Sequence, residues 1–174
     1  MERTRQELLD KAYQLGFEYE KAYRGCSQCV IAAIHDTLDI RDDSVFKAAT
    51  GLAAGGGATG IGVCGGFVGG AMVLSQLLGR DRNNFDDPEG IRSESFALTR
   101  KFLGDYTHEL GSIMCRDIQC IRFGRPYYLA DPEDFEKFEA AGAHVDKCTD
   151  VVGKAAQLAV NLILDEGLAK PPKA

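Results

Sequence analysis

Apolar positions recur along this chain with helical spacing almost throughout. Leu8, Ala12, Leu15 and Tyr19 form one stripe, predicting a first helix that ends near Gly25. Cys26, Cys29, Val30, Ala33 and Ile34 mark the inner face of a second helix running to about residue 38. Ser44 is placed to cap a third, carrying Val45, Phe46, Ala49 and Leu52. Gly55-Gly56-Gly57-Ala58-Thr59-Gly60 reads as a loop that delivers the chain to a glycine-rich helix over about 61–78. A polar loop over 79–88 follows, and Ser93 then caps a helix bearing Phe96, Leu103, Tyr106 and Leu110. Gly111-Ser112 breaks that helix, and a short one runs through Cys115 to about Cys120. Asp131-Pro132-Glu133 is an N-cap, a proline at the first helical position and an acid in the first turn. The helix it starts carries Phe135 and Phe138 and ends at Gly142. Asp146 begins the last helix, striped by Val151, Ala155, Leu158 and Leu162. No strand pair with hairpin chemistry and no internal repeat appears. The expected fold is all-α, a single-domain helical bundle over 1–174 with a buried, glycine-rich central helix.

The stretch from Ala48 to Gly79 has no charged residue, and 61–78 is long enough to raise the question of a membrane span. Gly62, Gly66 and Gly70 even follow the spacing of packed membrane helices. Ten of the twenty residues over 51–70 are glycine, however, and Ser75-Gln76 interrupts the apolar end. Glycine suits a helix approached closely on several sides better than one facing lipid. A buried helix in a soluble bundle is the expectation, with no membrane span.

Twenty Lys and Arg against 26 Asp and Glu give a net charge of -6, with no basic cluster. Nucleic acid is therefore not an expected partner. Met1-Glu2-Arg3-Thr4-Arg5 runs into an amphipathic stretch, not a signal peptide, so the expected location is the cytoplasm. Six cysteines in such a chain point to metal or redox chemistry ahead of structural disulfides.

Four of the six share one kind of position. Cys26, Cys64, Cys115 and Cys148 each fall in the first turn of a different predicted helix, where unpaired N–H groups and the helix dipole favour a thiolate. Four such starts converging would form a pocket for a thiolate-ligated metal or cluster. Gly65 and Gly66, next to Cys64, leave room and backbone N–H groups for such a group. Cys29 and Cys120 sit a turn deeper.

Gly25-Cys26-Ser27-Gln28-Cys29-Val30-Ile31, Cys64-Gly65-Gly66-Phe67-Val68-Gly69, Gly111-Ser112-Ile113-Met114-Cys115-Arg116 and Lys147-Cys148 together resemble the four cysteine blocks of the C-GCAxxG-C-C family of redox-active proteins. The resemblance spans about 23–164. It implies that Cys26, Cys64, Cys115 and Cys148 are the functional set. It also implies kinship with the non-haem domain of split-Soret cytochrome c, an all-helical dimer whose cysteines hold an iron–sulfur cluster. On that basis a homodimer with a redox partner protein is expected. Gly66 stands where the motif usually has alanine, and Cys29 and Cys120 are additions to it. No Cys-x-x-Cys-His occurs, so haem is not expected.

Other chemistry stays open beside the cluster. Cys26 with Cys29, or Cys115 with Cys120, could form a metal-free redox dithiol. His144, four residues before Cys148, could join a Cys/His zinc site of an interaction module, although a solvent-facing histidine just after Gly142 is the plainer reading. Arg116, Arg122 and Arg125 could hold an anion, but pairing with Asp117, Asp131 and Glu133 explains them more simply. Gly55-x-Gly57-x-x-Gly60 fits the dinucleotide fingerprint only formally, since the segment before it reads as helix.

Overall fold

The computed structural model describes residues 4–172; Met1, Glu2 and Arg3, which begin the expected amphipathic start, and Lys173 and Ala174 lie outside the described residues. Eight α-helices carry the described chain: α1 (Arg5–Tyr23), α2 (Cys26–Leu38), α3 (Asp43–Ala48), α4 (Gly65–Leu77), α5 (Ile91–Leu110), α6 (Cys115–Phe123), α7 (Pro132–Ala140) and α8 (Cys148–Asp165). The fold is all-α, with one isolated β-bridge among the described residues.

Local chemistry explains where the helices start. Thr4 and Glu7 form a reciprocal capping box at the start of α1. Asp131 accepts the amide of Asp134, with Pro132 opening α7 as the sequence predicts. Two expected serine caps are replaced by aspartates. Asp42 accepts the amides of Ser44 and Val45 and so starts α3 itself. Asp87 accepts the amide of Arg92 in the first turn of α5, and Gly90 is the N-cap residue. Helix α3 also stops at Ala48, followed by a 3₁₀ turn over Thr50–Leu52, which leaves Phe46 and Leu52 exposed.

The buried stripes are turned slightly from the expected ones. In α1 the buried face is Leu8, Ala12, Gly16 and Glu20, with Leu15 and Tyr19 half-buried beside it. In α5 it is Leu98, Phe102, Tyr106 and Leu110, while Phe96 and Leu103 face outward. Both stripes advance in steps of four, the inclined ridge of a helix face; α1 packs chiefly on α8, and α5 on both α4 and α8. Helix α8 packs against α1, α2, α4 and α5. A Cβ on Gly16 would lie 2.9 Å from the Val152 carbonyl oxygen, so the α1 and α8 backbones are in contact there.

Helix α4 starts at Gly65, later than the expected 61, because the preceding residues are extended and pair with the segment before α6. Its glycines face the bundle: a Cβ on Gly69 would lie 2.4 Å from the Ser27 carbonyl oxygen, and one on Gly70 2.4 Å from the Phe102 ring. Among the described residues no helix is long and apolar enough to cross a membrane. The last helix is entered through a π-helical turn over Ala143–Lys147, set off by Gly142 at φ 89°, so Asp146 lies within that turn and does not cap it.

The helices enclose one large core, and a second, smaller aromatic cluster of Tyr127, Leu129, Phe138 and Ala143 lies beside it. Cys148 packs against this second cluster, whereas Cys26, Cys64 and Cys115 belong to the first. The seam between the two positions the site.

Candidate metal centre

Cys26, Cys115 and Cys148 are the first residues of α2, α6 and α8, and Cys64 is the N-cap of α4. All four line a single, largely enclosed cavity of about 170 Å³. That is roughly ten times the space one water needs.

Three backbone features bring these starts together. An antiparallel bridge pairs Val63 with Met114. In it, the Cys64 amide donates to Ile113 at 2.7 Å and the Cys115 amide donates to Gly62 at 2.8 Å, so Cys64 and Cys115 leave one clamp side by side. Between α1 and α2 the chain turns through Arg24 (φ 60°, ψ 179°) and Gly25 (φ 85°). Arg24 occupies a region of backbone space that glycine adopts easily and other residues only under constraint. The third feature is a left-handed turn in which Ala54, Gly55, Gly56, Gly57 and Ala58 all have positive φ. It presents the Ala54 N–H to Cys26 Sγ at 3.2 Å.

Side chains complete the thiol side. Gln119, fully buried, donates to Cys115 Sγ at 3.6 Å and accepts the Tyr127 amide at 2.6 Å. Tyr106 directs its hydroxyl towards Cys64, and its oxygen has no partner in hydrogen-bonding geometry. A Cβ on Gly65 would sit 2.3 Å from Cys26 Sγ, and one on Gly66 2.8 Å from the Tyr106 oxygen. Neither glycine lines the cavity; both let α4 approach α2 and α5 closely. The opposite wall is apolar, made of Ile118, Phe123, Leu129, Phe135 and Phe138.

Burial dominates the electrostatics. It pushes the thiols of Cys26 and Cys148 well above their ordinary range, lifts Cys64, and raises Cys115 to about 12. The amides of Gly66 and Phe67 at the start of α4 pull Cys64 the other way without overcoming burial. The helix starts are therefore where the sequence predicts them, but without a bound cation the thiols are protonated. A cation that binds them must displace those protons.

A polar chain borders the cavity. The Glu20 carboxylate is 3% exposed; its Oε1 lies 3.5 Å from His144 Nε2, and its Oε2 has no hydrogen-bond partner. His144 Nδ1 lies 2.6 Å from Glu139 Oε1, and Glu139 Oε2 pairs with Arg24 at 3.3 Å. Burial works against a charged His144 ring, yet the two carboxylates outweigh it and raise its pKa above the usual histidine value. His144 thus borders the same cavity as Cys148, enclosed between carboxylates, and not the solvent.

The two extra cysteines lie elsewhere. Cys29 is buried outside the cavity lining and donates to the Arg24 carbonyl at 3.1 Å. Cys120 is exposed, on the other face of α6 from Cys115. Among the described residues no three Cys, His, Asp or Glu side chains are gathered tightly enough for a single metal ion. Two of the three arginines are paired, with partners other than the expected ones: Arg122 with Asp150 and Arg125 with Asp134.

Glu20, Gln119 and Tyr106 are absent from the sequence-derived site. Glu20 extends the four-residue stripe of Leu8, Ala12 and Gly16, and an acid on a buried stripe is the signal that marks it. Gln119, four residues after Cys115, shares its helical face. No solved structure and no curated protein matches the chain. Over residues 25–162 it matches the family model described as "Putative redox-active protein (C_GCAxxG_C_C)", which contains all four cavity-lining cysteines. The chain belongs to that C_GCAxxG_C_C family of redox-active proteins.

Proposed function

We propose that Cys26, Cys64, Cys115 and Cys148 hold an iron–sulfur cluster, through which the protein transfers electrons. The observation that carries this reading is the convergence of four thiols, each from a different helix start, on one enclosed cavity. The donor set fits: thiolates are the usual ligands of such clusters, and N–H groups directed at sulfur tune them. Here Ala54 and Gln119 direct N–H groups at Cys26 and Cys115.

The shared cavity, about 170 Å³, has room for a group of several atoms and not only a single ion. A lone zinc ion requires four ligands, with each sulfur about 2.3 Å away. No three candidate donors among the described residues are gathered for that. When bound, the cluster supplies reversible one-electron storage. The chain's part is to bind it with four thiolates, orient it with amide donors, and exclude water with the aromatic wall. The dithiol reading has less support, because Cys29 directs its thiol to a backbone carbonyl and Cys120 faces away from Cys115. We take the protein to be a homodimer acting with a redox partner protein, on the strength of the split-Soret resemblance.

The test is replacement of each of the four cysteines by serine, with folding checked by circular dichroism. Each variant should lose the broad visible absorbance of the anaerobically reconstituted protein. A series that keeps full colour overturns the reading.

A further inference from the structure

Glu20 is the one acid among the residues lining the cavity, and nothing in the family motif accounts for it, since it precedes the matched residues 25–162. A carboxylate buried this deeply is costly unless both oxygens are paired or one binds a metal. Only half of that requirement is met within the chain. His144 bridges Glu20 Oε1 and Glu139 Oε1 through its two ring nitrogens. The remaining oxygen, Oε2, has no hydrogen-bond partner.

The neighbours that could satisfy Oε2 are otherwise engaged. Arg24, the other basic residue lining the cavity, pairs with Glu139 and lies over the Phe135 ring. Cys29, whose thiol is close to Glu20, gives its hydrogen to the Arg24 carbonyl. Cys26, Cys64 and Cys148 all lie within electrostatic range of the carboxylate. Thiolates at those positions would repel it, so a cation among them is what reconciles the set.

From this geometry, and resting on the cluster reading above, we propose that Glu20 is an oxygen donor to the metal group held by the four cysteines, binding through Oε2. His144 and Glu139 are then positioning residues: they hold Oε1 and so fix the direction of Oε2, as partners beyond the ligands commonly do. A carboxylate oxygen is a harder ligand than thiolate, so one iron of the group would differ from the others.

The test is Mössbauer spectroscopy of the full chain reconstituted without oxygen with ⁵⁷Fe and sulfide, as wild type and as Glu20→Gln. Wild type should show one iron subsite with a larger isomer shift than the rest. Glu20→Gln should lose that subsite at unchanged iron per chain. A uniform, all-sulfur spectrum in wild type overturns the proposal, and so does a distinct subsite that survives in Glu20→Gln. If that variant fails to fold, wild type made with ¹³C-carboxylate glutamate decides: an electron–nuclear ¹³C coupling in the reduced state supports the proposal, and its absence overturns it. If wild type binds no iron at all, the cluster reading fails and this one with it. Iron bound without Glu20 removes this proposal alone.

Discussion

The two walls of the cavity are built in different ways. The thiol wall is made of helix starts fixed by backbone: the Val63–Met114 bridge, the Arg24-Gly25 turn, the left-handed turn at 54–58, and glycines that admit no Cβ. The aromatic wall is made of side chains. Phe123, Tyr127 and Phe138 pack edge to face or tilted, with ring centroids 5.1 to 5.7 Å apart, on the segment from the end of α6 to the π turn. One wall sets ligand geometry, which tolerates little displacement. The other sets dielectric and solvent access, which requires only that apolar volume be filled. Substitutions in the two walls should therefore fail differently.

The largest effect after loss of a ligand cysteine belongs to Phe138→Ala. Removing a 3% exposed phenylalanine should cost about 3–5 kcal/mol in chemical denaturation. Iron should still bind at first, because the thiols are untouched, but the colour should bleach faster in air. Bleaching at the wild-type rate would show that this wall does not exclude solvent.

His144 joins the walls, so His144→Asn comes next, at about 1.5–3 kcal/mol for hydrogen bonds to charged groups. The folded-state pKa of His144 is raised by its two carboxylates, despite burial. Its contribution is therefore complete below the ordinary histidine value of 6.5 and is lost as pH rises through the raised one. Denaturation midpoints of the metal-free protein across that window should fall with pH in wild type and stay flat in His144→Asn.

Gly65→Ala probes the thiol wall without removing a thiol. Its new Cβ would meet Cys26 Sγ at 2.3 Å and the Ser27 amide nitrogen at 2.8 Å, and the backbone must shift to relieve this. The expected cost is about 1–3 kcal/mol, with less iron bound per folded chain, the reverse of the Phe138→Ala pattern. The smallest effect is that of Cys120→Ser. An exposed thiol outside the cavity should change stability by no more than about 0.5 kcal/mol and leave iron content and redox potential as they were.

The same contrast explains what was legible in the sequence. The four cysteines could be placed because a helix start leaves local marks: a breaking glycine before Cys26, Gly111-Ser112 before Cys115, and an apolar stripe after Cys148. The aromatic residues were visible as helix positions, but their meeting across the cavity depends on the π turn at 143–147, which Gly142 alone does not announce. The Val63–Met114 bridge pairs single residues about fifty positions apart, too short to leave an alternating pattern. Glu20 was hidden because an acid on an amphipathic helix is ordinarily solvent-facing. Its burial follows from Gly16, which draws α1 against the backbone of α8. The expected thiolates were overruled because a helix start acts within a turn, whereas burial acts on every side of the sulfur.

The measurement closest to the central claim is a count of iron, zinc and acid-labile sulfide per chain, with a visible spectrum, on protein purified without oxygen. The account predicts iron with matching sulfide and broad visible absorbance. A folded protein that carries zinc alone, or that takes up no iron even after anaerobic reconstitution with sulfide, would contradict it.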